Sequence, residues 1–152
     1  MITKLDKNKK IELTDLIENS KYIDVISVES AGRPLAKDME KKVGNKIGNF
    51  INIRPTNHAK QNQIIEWVNG DLNPKHTALV CDDFLFQGNT LNVVLDYLMR
   101  VGYKSRNLYV CVGFGEEKFF NTRKNKEIGL LNYNLLDNEK LYFSRNYKPR
   151  IK

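Results

Sequence analysis

Apolar residues along this chain fall into short runs with two different spacings. Four runs are continuous or rich in β-branched residues, and they predict strands at residues 22–28, 50–53, 77–81 and 108–112. The unbroken apolar run at 77–81 is typical of a central parallel strand that is covered on both faces.

Segments with helical spacing alternate with these strands. Residues 6–19, 34–43, 61–68 and 91–99 carry apolar side chains three or four positions apart, and Trp67 is expected in the core. Because strand and helix alternate, the pattern predicts an α/β fold. We expect a doubly wound, mostly parallel sheet flanked by helices.

The regular alternation ends near residue 116. The chain has 152 residues, which is enough for a single domain with one core, and neither a repeat nor a linker divides it. We therefore expect one domain over residues 1–152. Its core would span about 22–115, with a small C-terminal appendage at about 116–152 over the sheet edge.

The composition of the chain indicates its cellular location. No apolar run approaches the roughly 20 residues that span a bilayer, and the first residues lack the apolar stretch of a signal peptide. Cys81 and Cys111 each lie inside an apolar run without a Cys/His cluster, which favours buried reduced thiols. We expect a cytoplasmic protein with no membrane partner.

The formal net charge is +7, and much of the excess lies late in the chain. Residues 118–152 hold nine Lys or Arg against three Asp or Glu. This balance favours anionic partners without separating nucleotides from nucleic acids. A solvated basic surface and the recruitment of a phosphate-bearing ligand or RNA both stay open, and nucleic acid is not favoured.

One stretch carries a specific chemistry. The apolar strand at 77–81 runs into Asp82 and Asp83, and a loop with Gly88 then leads to Asn89 and Thr90 at the start of a helix. Adjacent carboxylates suit sugar hydroxyls or a hydrated Mg²⁺. A turn of backbone N–H groups at the positive end of a helix suits a phosphate. A ribose 5-phosphate satisfies both halves.

This stretch resembles the signature of the type I phosphoribosyltransferases. That signature is a four-residue apolar strand, two acids, two apolar residues, two small or hydroxyl residues, Gly, any residue and Thr. A second segment, residues 28–36, resembles the family's pyrophosphate-binding loop, with Gly32, Arg33 and Pro34 after the first strand. The gap of about 50 residues between the motifs also suits the family, and together they cover residues 23–112.

The resemblance implies transfer of 5-phosphoribose between phosphoribosyl pyrophosphate and a nucleobase or related heterocycle, with Mg²⁺ as cofactor. Phosphoribosyl pyrophosphate or a nucleoside 5′-phosphate would then be the ligand, and a homodimer is common in the family. Asp82 and Asp83 would be the catalytic acids, holding the ribose hydroxyls directly or through metal-bound water.

The resemblance also assigns the remaining ligand contacts. The ribose 5-phosphate would bind to residues 86–90: Phe86, Gln87, Gly88, Asn89 and Thr90. The pyrophosphate would face Ser30, Ala31, Gly32 and Arg33. Arg54 and Lys60 could supply cations from the lid region, residues 52–61, or could be solvated loop charges. For Glu29, an ordinary surface role and a contact to base or metal both stay open.

Two departures from the family pattern support an alternative. Phe86 and Gln87 stand where the family usually has small or hydroxyl residues, and the lid region is short. The alternative is a non-catalytic regulator with the same fold that binds a ribose-phosphate metabolite and a partner or RNA. An unrelated flavodoxin-like or Rossmann-like domain explains the sheet, but it leaves Asp82, Asp83 and the Gly88 loop unexplained.

Overall fold

The computed structural model describes residues 11–56, 64–85, 89–115 and 127–131. These residues form one six-stranded sheet with the strand order β3-β2-β1-β4-β5-β6. The strands are β1 (Ile23–Val28), β2 (Ile47–Pro55), β3 (Ile65–Asn69), β4 (Thr77–Leu85), β5 (Leu108–Gly115) and β6 (Gly129–Leu130). The α-helices are α1 (Leu13–Glu18), α2 (Arg33–Val43) and α3 (Asn89–Val101), and short 3-10 turns occupy Gly44–Lys46 and Ser105–Asn107.

The sheet is mixed but mostly parallel. Every neighbouring pair is parallel except β2 and β3, which run antiparallel. Helix α2 connects β1 to β2, and α3 connects β4 to β5, as parallel neighbours require a crossover. The predicted fold, a mostly parallel α/β sheet flanked by helices, is confirmed.

Side chains of the sheet alternate between two cores. The core on the α3 face includes Ile26, Val80 and Val110. The core on the α2 face includes Val25 and Leu79 together with residues of α1 and α2. All six residues of β1 are buried, because this strand lies between β2 and β4 and is covered on both faces.

A buried hydrogen-bond network lies at the N-terminal end of β1, and we call it the basal network: Asp24, Asn73, His76 and Tyr103. The fully buried Asp24 carboxylate accepts hydrogen bonds from Tyr103 Oη at 2.6 Å and from the Asn73 backbone N–H at 3.2 Å. His76 Nδ1 lies 2.8 Å from the same carboxylate. The network joins β1 to the β3–β4 connection and to the turn after α3.

The helix predicted at residues 61–68 is wrong. Within the described part of this segment, β3 begins at Ile65 and pairs with β2. Apolar spacing at Ile64, Ile65 and Val68 fits a helix and a short strand equally well, and the neighbouring β2 edge decides for the strand. Trp67 is 40% exposed on this edge strand, so its expected place in the core is also wrong.

Two strands reach further than the sequence pattern predicts. Strand β4 continues past Cys81 through both aspartates to Leu85, because β5 runs beside it and pairs Leu85 with Gly115. Beyond the core expected at 22–115, Gly129–Leu130 adds the strand β6 to the edge of the sheet. The division of the chain into a core and an appendage stays a prediction.

Candidate functional site

The order of the strands singles out one position on the sheet. From β1 the chain crosses to β2 on one side, and from β4 it crosses to β5 on the other side. The carboxyl ends of β1 and β4 therefore form a topological switch point, where open α/β sheets bind their ligands. Both segments singled out in the sequence leave the sheet at this edge.

Gly32 brings the two segments into contact. A Cβ on Gly32 would overlap the Cys81 carbonyl oxygen, would lie 2.8 Å from the Val28 carbonyl oxygen and would lie 3.0 Å from Asp82 Cα. Only a residue without a side chain allows the loop to lie this close to β4. The Gly32 N–H donates to the Val28 carbonyl at 2.9 Å. The predicted pyrophosphate loop therefore lies against the strand that carries Asp82.

The same loop forms a tight turn between β1 and α2. The Glu29–Ser30 peptide bond is cis, and the Arg33 N–H donates to the Ser30 carbonyl at 3.2 Å. Pro34 occupies the first turn of α2, where backbone N–H groups have no partner within the helix, so its lack of an N–H costs no hydrogen bond. The turn places the side chain of Arg33 at the beginning of the helix.

Glu29 is the functional candidate that the sequence left undecided. Its carboxylate accepts hydrogen bonds from Ser27 Oγ at 2.6 Å and from Arg33 Nε at 2.9 Å, and Arg33 Nη2 contacts the same Oε1. The Glu29 side chain is 1% exposed, whereas the Arg33 side chain is 54% exposed. The signal in the sequence was an acid four residues before an arginine, across a turn.

We call Ser27, Glu29 and Arg33 the loop cluster. Burial alone would raise the pKa of Glu29, but hydrogen bonds from Arg33 and Ser27 and the charges of Arg33 and Arg54 outweigh it. The net effect lowers the pKa of Glu29 below its ordinary value, so the group is a carboxylate at neutral pH. The hydrogen bond and the charge of Glu29 in turn raise the pKa of Arg33.

Arg54 lies in β2 beside the loop cluster. The Glu29 N–H donates to the Ile53 carbonyl at 2.7 Å, and Arg54 is the next residue along β2. It is exposed, and it pairs across the strands with Trp67. Arg54 is thus a strand residue near the carboxyl end of β1, and a ligand contact by Arg54 stays a prediction. Lys60, the other cation predicted for the lid region, lies outside the described residues.

Asp82 and Asp83 lie within β4 rather than after it. Successive residues of a strand point to opposite faces. Asp82 pairs with Val112 and belongs to the α3 face, where it is buried, and Asp83 therefore belongs to the α2 face. The Asp83 N–H donates to Asp82 Oδ1 at 2.8 Å. The two carboxylates thus leave the strand in different directions, although the resemblance gives them one task.

The predicted 5-phosphate site is described only in part. Asn89 and Thr90 lie in the first turn of α3, which follows the carboxyl end of β4. Helix N-termini carry partial positive charge and exposed N–H groups, which suit a phosphate. Phe86, Gln87 and Gly88 lie outside the described residues, and the side chain of Asn89 also lies outside them.

The residues at this edge fit a magnesium ion that is held mainly by its ligand. Within the described ranges, no group of three or more His, Cys, Asp or Glu residues is arranged to hold a metal. Protein sites for Mg²⁺ often supply only one or two carboxylates, while water and substrate phosphates complete the coordination. Asp82 and Asp83 lie on opposite faces of β4, so either one could supply a single carboxylate of that kind.

Comparison with known proteins places this geometry in a family. The family model "Phosphoribosyl transferase domain" matches residues 7–129, which is most of the chain. The chain therefore belongs to the phosphoribosyl transferase domain family, and the resemblance inferred from its two motifs is confirmed.

Solved structures of type I phosphoribosyltransferases share the fold. One is an APRTase from Giardia lamblia complexed with 9-deazaadenine, with 19% identity and a TM-score of 0.56, over 78% of this chain and 77% of that one. A purine phosphoribosyltransferase from Pyrococcus horikoshii has 17% identity and a TM-score of 0.54, over 82% and 83% of the two chains. A xanthine-guanine-hypoxanthine phosphoribosyltransferase from Helicobacter pylori has 17% identity and a TM-score of 0.50, over 89% and 92%.

Two further findings complete the comparison. A search of curated proteins finds no significant match to this chain. Among the helices of the described residues, none combines the length and the apolar character needed to cross a bilayer.

Proposed function

We propose that this protein is a phosphoribosyltransferase that transfers 5-phosphoribose between phosphoribosyl pyrophosphate and a nucleobase or related heterocycle, with Mg²⁺. The observation that carries the proposal is the approach of Gly32 to the backbone of β4 at Asp82. It joins the predicted pyrophosphate loop to the predicted ribose site at the switch point of the sheet.

The charges at this edge match what the reaction needs. Departure of pyrophosphate leaves a ribose with cationic character, so anionic groups belong near the ribose and cations near the leaving group. Asp82 and Asp83 are the anionic groups, and Mg²⁺, when bound, would neutralise pyrophosphate oxygens. Arg33 is an exposed cation on the loop, and Arg54 is a second cation beside it.

The backbone would hold the two phosphate ends of the ligand. Under this proposal residues 30–33 face the pyrophosphate, while residues 86–90 at the start of α3 bind the 5-phosphate. Holding both ends fixes the ribose between them, which favours reaction by orientation rather than by new covalent chemistry.

Purine bases are the first acceptors to screen. The three solved structures named above are an APRTase complexed with 9-deazaadenine, a purine phosphoribosyltransferase and a xanthine-guanine-hypoxanthine phosphoribosyltransferase. At identities below 20% they support the fold alone, so pyrimidine bases belong in the same screen. A nucleoside 5′-phosphate with pyrophosphate tests the reverse reaction.

A cytoplasmic location and a homodimer form part of the same proposal. Cys81 and Cys111 are both buried and not joined in a disulfide, which supports a reducing compartment. The homodimer rests on the resemblance to the family, and sedimentation of the purified protein would test it. The proposal needs no nucleic acid as a partner.

Calorimetric titration with phosphoribosyl pyrophosphate and Mg²⁺ tests the proposal. We expect the wild type to bind and the Asp82→Asn/Asp83→Asn variant to lose most of the affinity. The matched control is Glu66→Gln/Asp71→Asn, which removes the same charge at two exposed positions and should bind like the wild type.

The outcomes of this titration distinguish an enzyme from a non-catalytic regulator. Binding followed by pyrophosphate release with a base supports the enzyme. Binding without turnover on any base or in the reverse direction would favour the non-catalytic regulator. No binding by the wild type up to millimolar ligand, a level that corresponds to about −4 kcal/mol, would exclude both.

A further inference from the structure

We propose that Glu29 is a positioning residue that fixes the guanidinium of Arg33 for the diphosphate part of the ligand. This inference rests on the proposed function, since it concerns the pyrophosphate side of the same site. Glu29 itself would not touch the ligand.

The exposure of the two partners supports this division of roles. The Glu29 carboxylate is almost fully enclosed, while more than half of the Arg33 side chain is exposed. An arginine has five N–H donors in a planar fork. Glu29 engages the Nε and Nη2 side of the fork, so donors on Nη1 can still serve oxygens of a phosphate group.

The rigidity of the arrangement comes from the centre of the sheet. Ser27 is fully buried in β1, where it pairs with Asn52 on one side and Cys81 on the other. Its hydroxyl donates to Glu29 Oε2, and Arg33 donates to Oε1. The exposed guanidinium is therefore tied through one carboxylate to β1, a strand whose six residues are all buried.

The sign of the charge makes the inference testable. A carboxylate beside a diphosphate repels it, so on electrostatic grounds alone the removal of Glu29's charge would strengthen binding. If Glu29 instead acts by holding Arg33 in place, its removal weakens binding, because the guanidinium loses its fixed geometry. The two accounts predict opposite changes in affinity.

Titrations with Mg²⁺-pyrophosphate and with Mg²⁺-phosphoribosyl pyrophosphate would measure this change. We expect Glu29→Gln to weaken both affinities roughly tenfold and Ser27→Ala roughly threefold, the scale of one or two hydrogen bonds. Ser27→Ala leaves every charge unchanged. The matched control is Glu40→Gln, which makes the same change of charge on α2 and should leave both affinities unchanged.

A double-mutant cycle shows whether Glu29 acts through Arg33. On an Arg33→Ala background, Glu29→Gln should cause no further loss of affinity, whereas a general structural effect of Glu29 would still appear. Thermal unfolding of each variant establishes that it is folded. Should Glu29→Gln fail to fold, Ser27→Ala still tests the role, since it removes one hydrogen bond that holds the Glu29 carboxylate and touches neither the charge nor Arg33.

Each result has a separate meaning. An unchanged or tighter affinity of folded Glu29→Gln would overturn the positioning role, and so would an undiminished loss on the Arg33→Ala background. Failure of the wild type to bind either ligand would instead overturn the proposed function, and the positioning role with it.

Discussion

Strand β1 has a buried carboxylate near each end, and the surroundings of the two differ. Asp24, near the start of the strand, is bonded by the hydroxyl of Tyr103 and lies beside His76, both of which are themselves largely enclosed. Glu29, just after the strand, is bonded by buried Ser27 and by Arg33, which is mostly exposed.

This difference in surroundings distinguishes Asp24, which stabilises the fold, from Glu29, which we propose serves ligand binding. The hydrogen bonds of the basal network are made within the protein, so the network stabilises the fold and holds separate chain segments together. The loop cluster also begins in the core, but it ends in a cation at the edge where we propose that the ligand binds. Substitutions in the basal network should therefore lower the free energy of unfolding, whereas substitutions in the loop cluster should weaken ligand affinity.

The largest expected effect is at the basal end. Asp24→Ala removes the buried acceptor of the Tyr103 hydroxyl and one of the two acceptors of the Asn73 N–H, which also donates to Tyr103 Oη at 3.0 Å. We expect the free energy of unfolding to fall by about 3–4 kcal/mol. Urea denaturation measures this change. The exposed carboxylate Asp71 provides the control, because Asp71→Ala should change stability by less than about 0.5 kcal/mol. A loss as small as that of the control would mean that the network is not a major source of stability.

Gly32→Ala is expected to affect both stability and binding. The added Cβ meets backbone carbonyls, which cannot rotate away as a side chain could, so the loop must shift from β4. We expect a loss of about 1–3 kcal/mol in stability and weaker binding of phosphoribosyl pyrophosphate. Gly44→Ala is the control: its φ of 64° and ψ of −129° make alanine cost about 1–3 kcal/mol, but nothing lies near its Cβ and binding should persist. Equal binding by both variants would contradict a functional role for the close approach.

Much of this fold follows from local pattern. The strands at 77–81 and 108–112 are apolar runs, and the helix that begins near Pro34 has a clear start signal, so sequence alone predicts them. The antiparallel strand β3 was missed because its residues support two structures, and only the neighbouring β2 decides between them. The extension of β4 through Asp82 to Leu85 depends in the same way on pairing with β5.

The candidate site, like the fold, could be predicted from the sequence only where local motifs define it. Sequence motifs indicated Asp82, Gly32 and Arg33, and the fold brings their segments together at one edge of the sheet. The carboxylate of Glu29 was left undecided, because its partner Ser27 is buried by strands that come later in the chain. The basal network joins residues as far apart as Asp24 and Tyr103, and no local pattern reveals such a contact.

A pair of hydroxyl deletions compares the two ends directly. Tyr103→Phe and Ser27→Ala each remove one hydroxyl that donates to a buried carboxylate at 2.6 Å. We expect Tyr103→Phe to lower the free energy of unfolding by about 1 kcal/mol and to leave ligand affinity unchanged. Ser27→Ala should weaken binding of pyrophosphate, as argued above. If Tyr103→Phe weakened binding as much as Ser27→Ala does, the two ends would not be functionally distinct.

The smallest expected effect is the pH dependence of the loop cluster. The pKa of Glu29 is lowered in the folded protein from an ordinary value of 4.5, because hydrogen bonds and positive charges outweigh the cost of burial. Folding therefore favours the carboxylate, and its contribution to stability is complete above about pH 4.5 and is lost as the pH falls through the lower folded pKa. Urea midpoints of the wild type and Glu29→Gln, measured from pH 7 to pH 3, should differ by a constant amount above that pH and converge below it. A difference that grows as the pH falls would show that the folded protein does not stabilise Glu29 as a carboxylate. The proposed electrostatic difference between Glu29 and Asp24 would then be wrong.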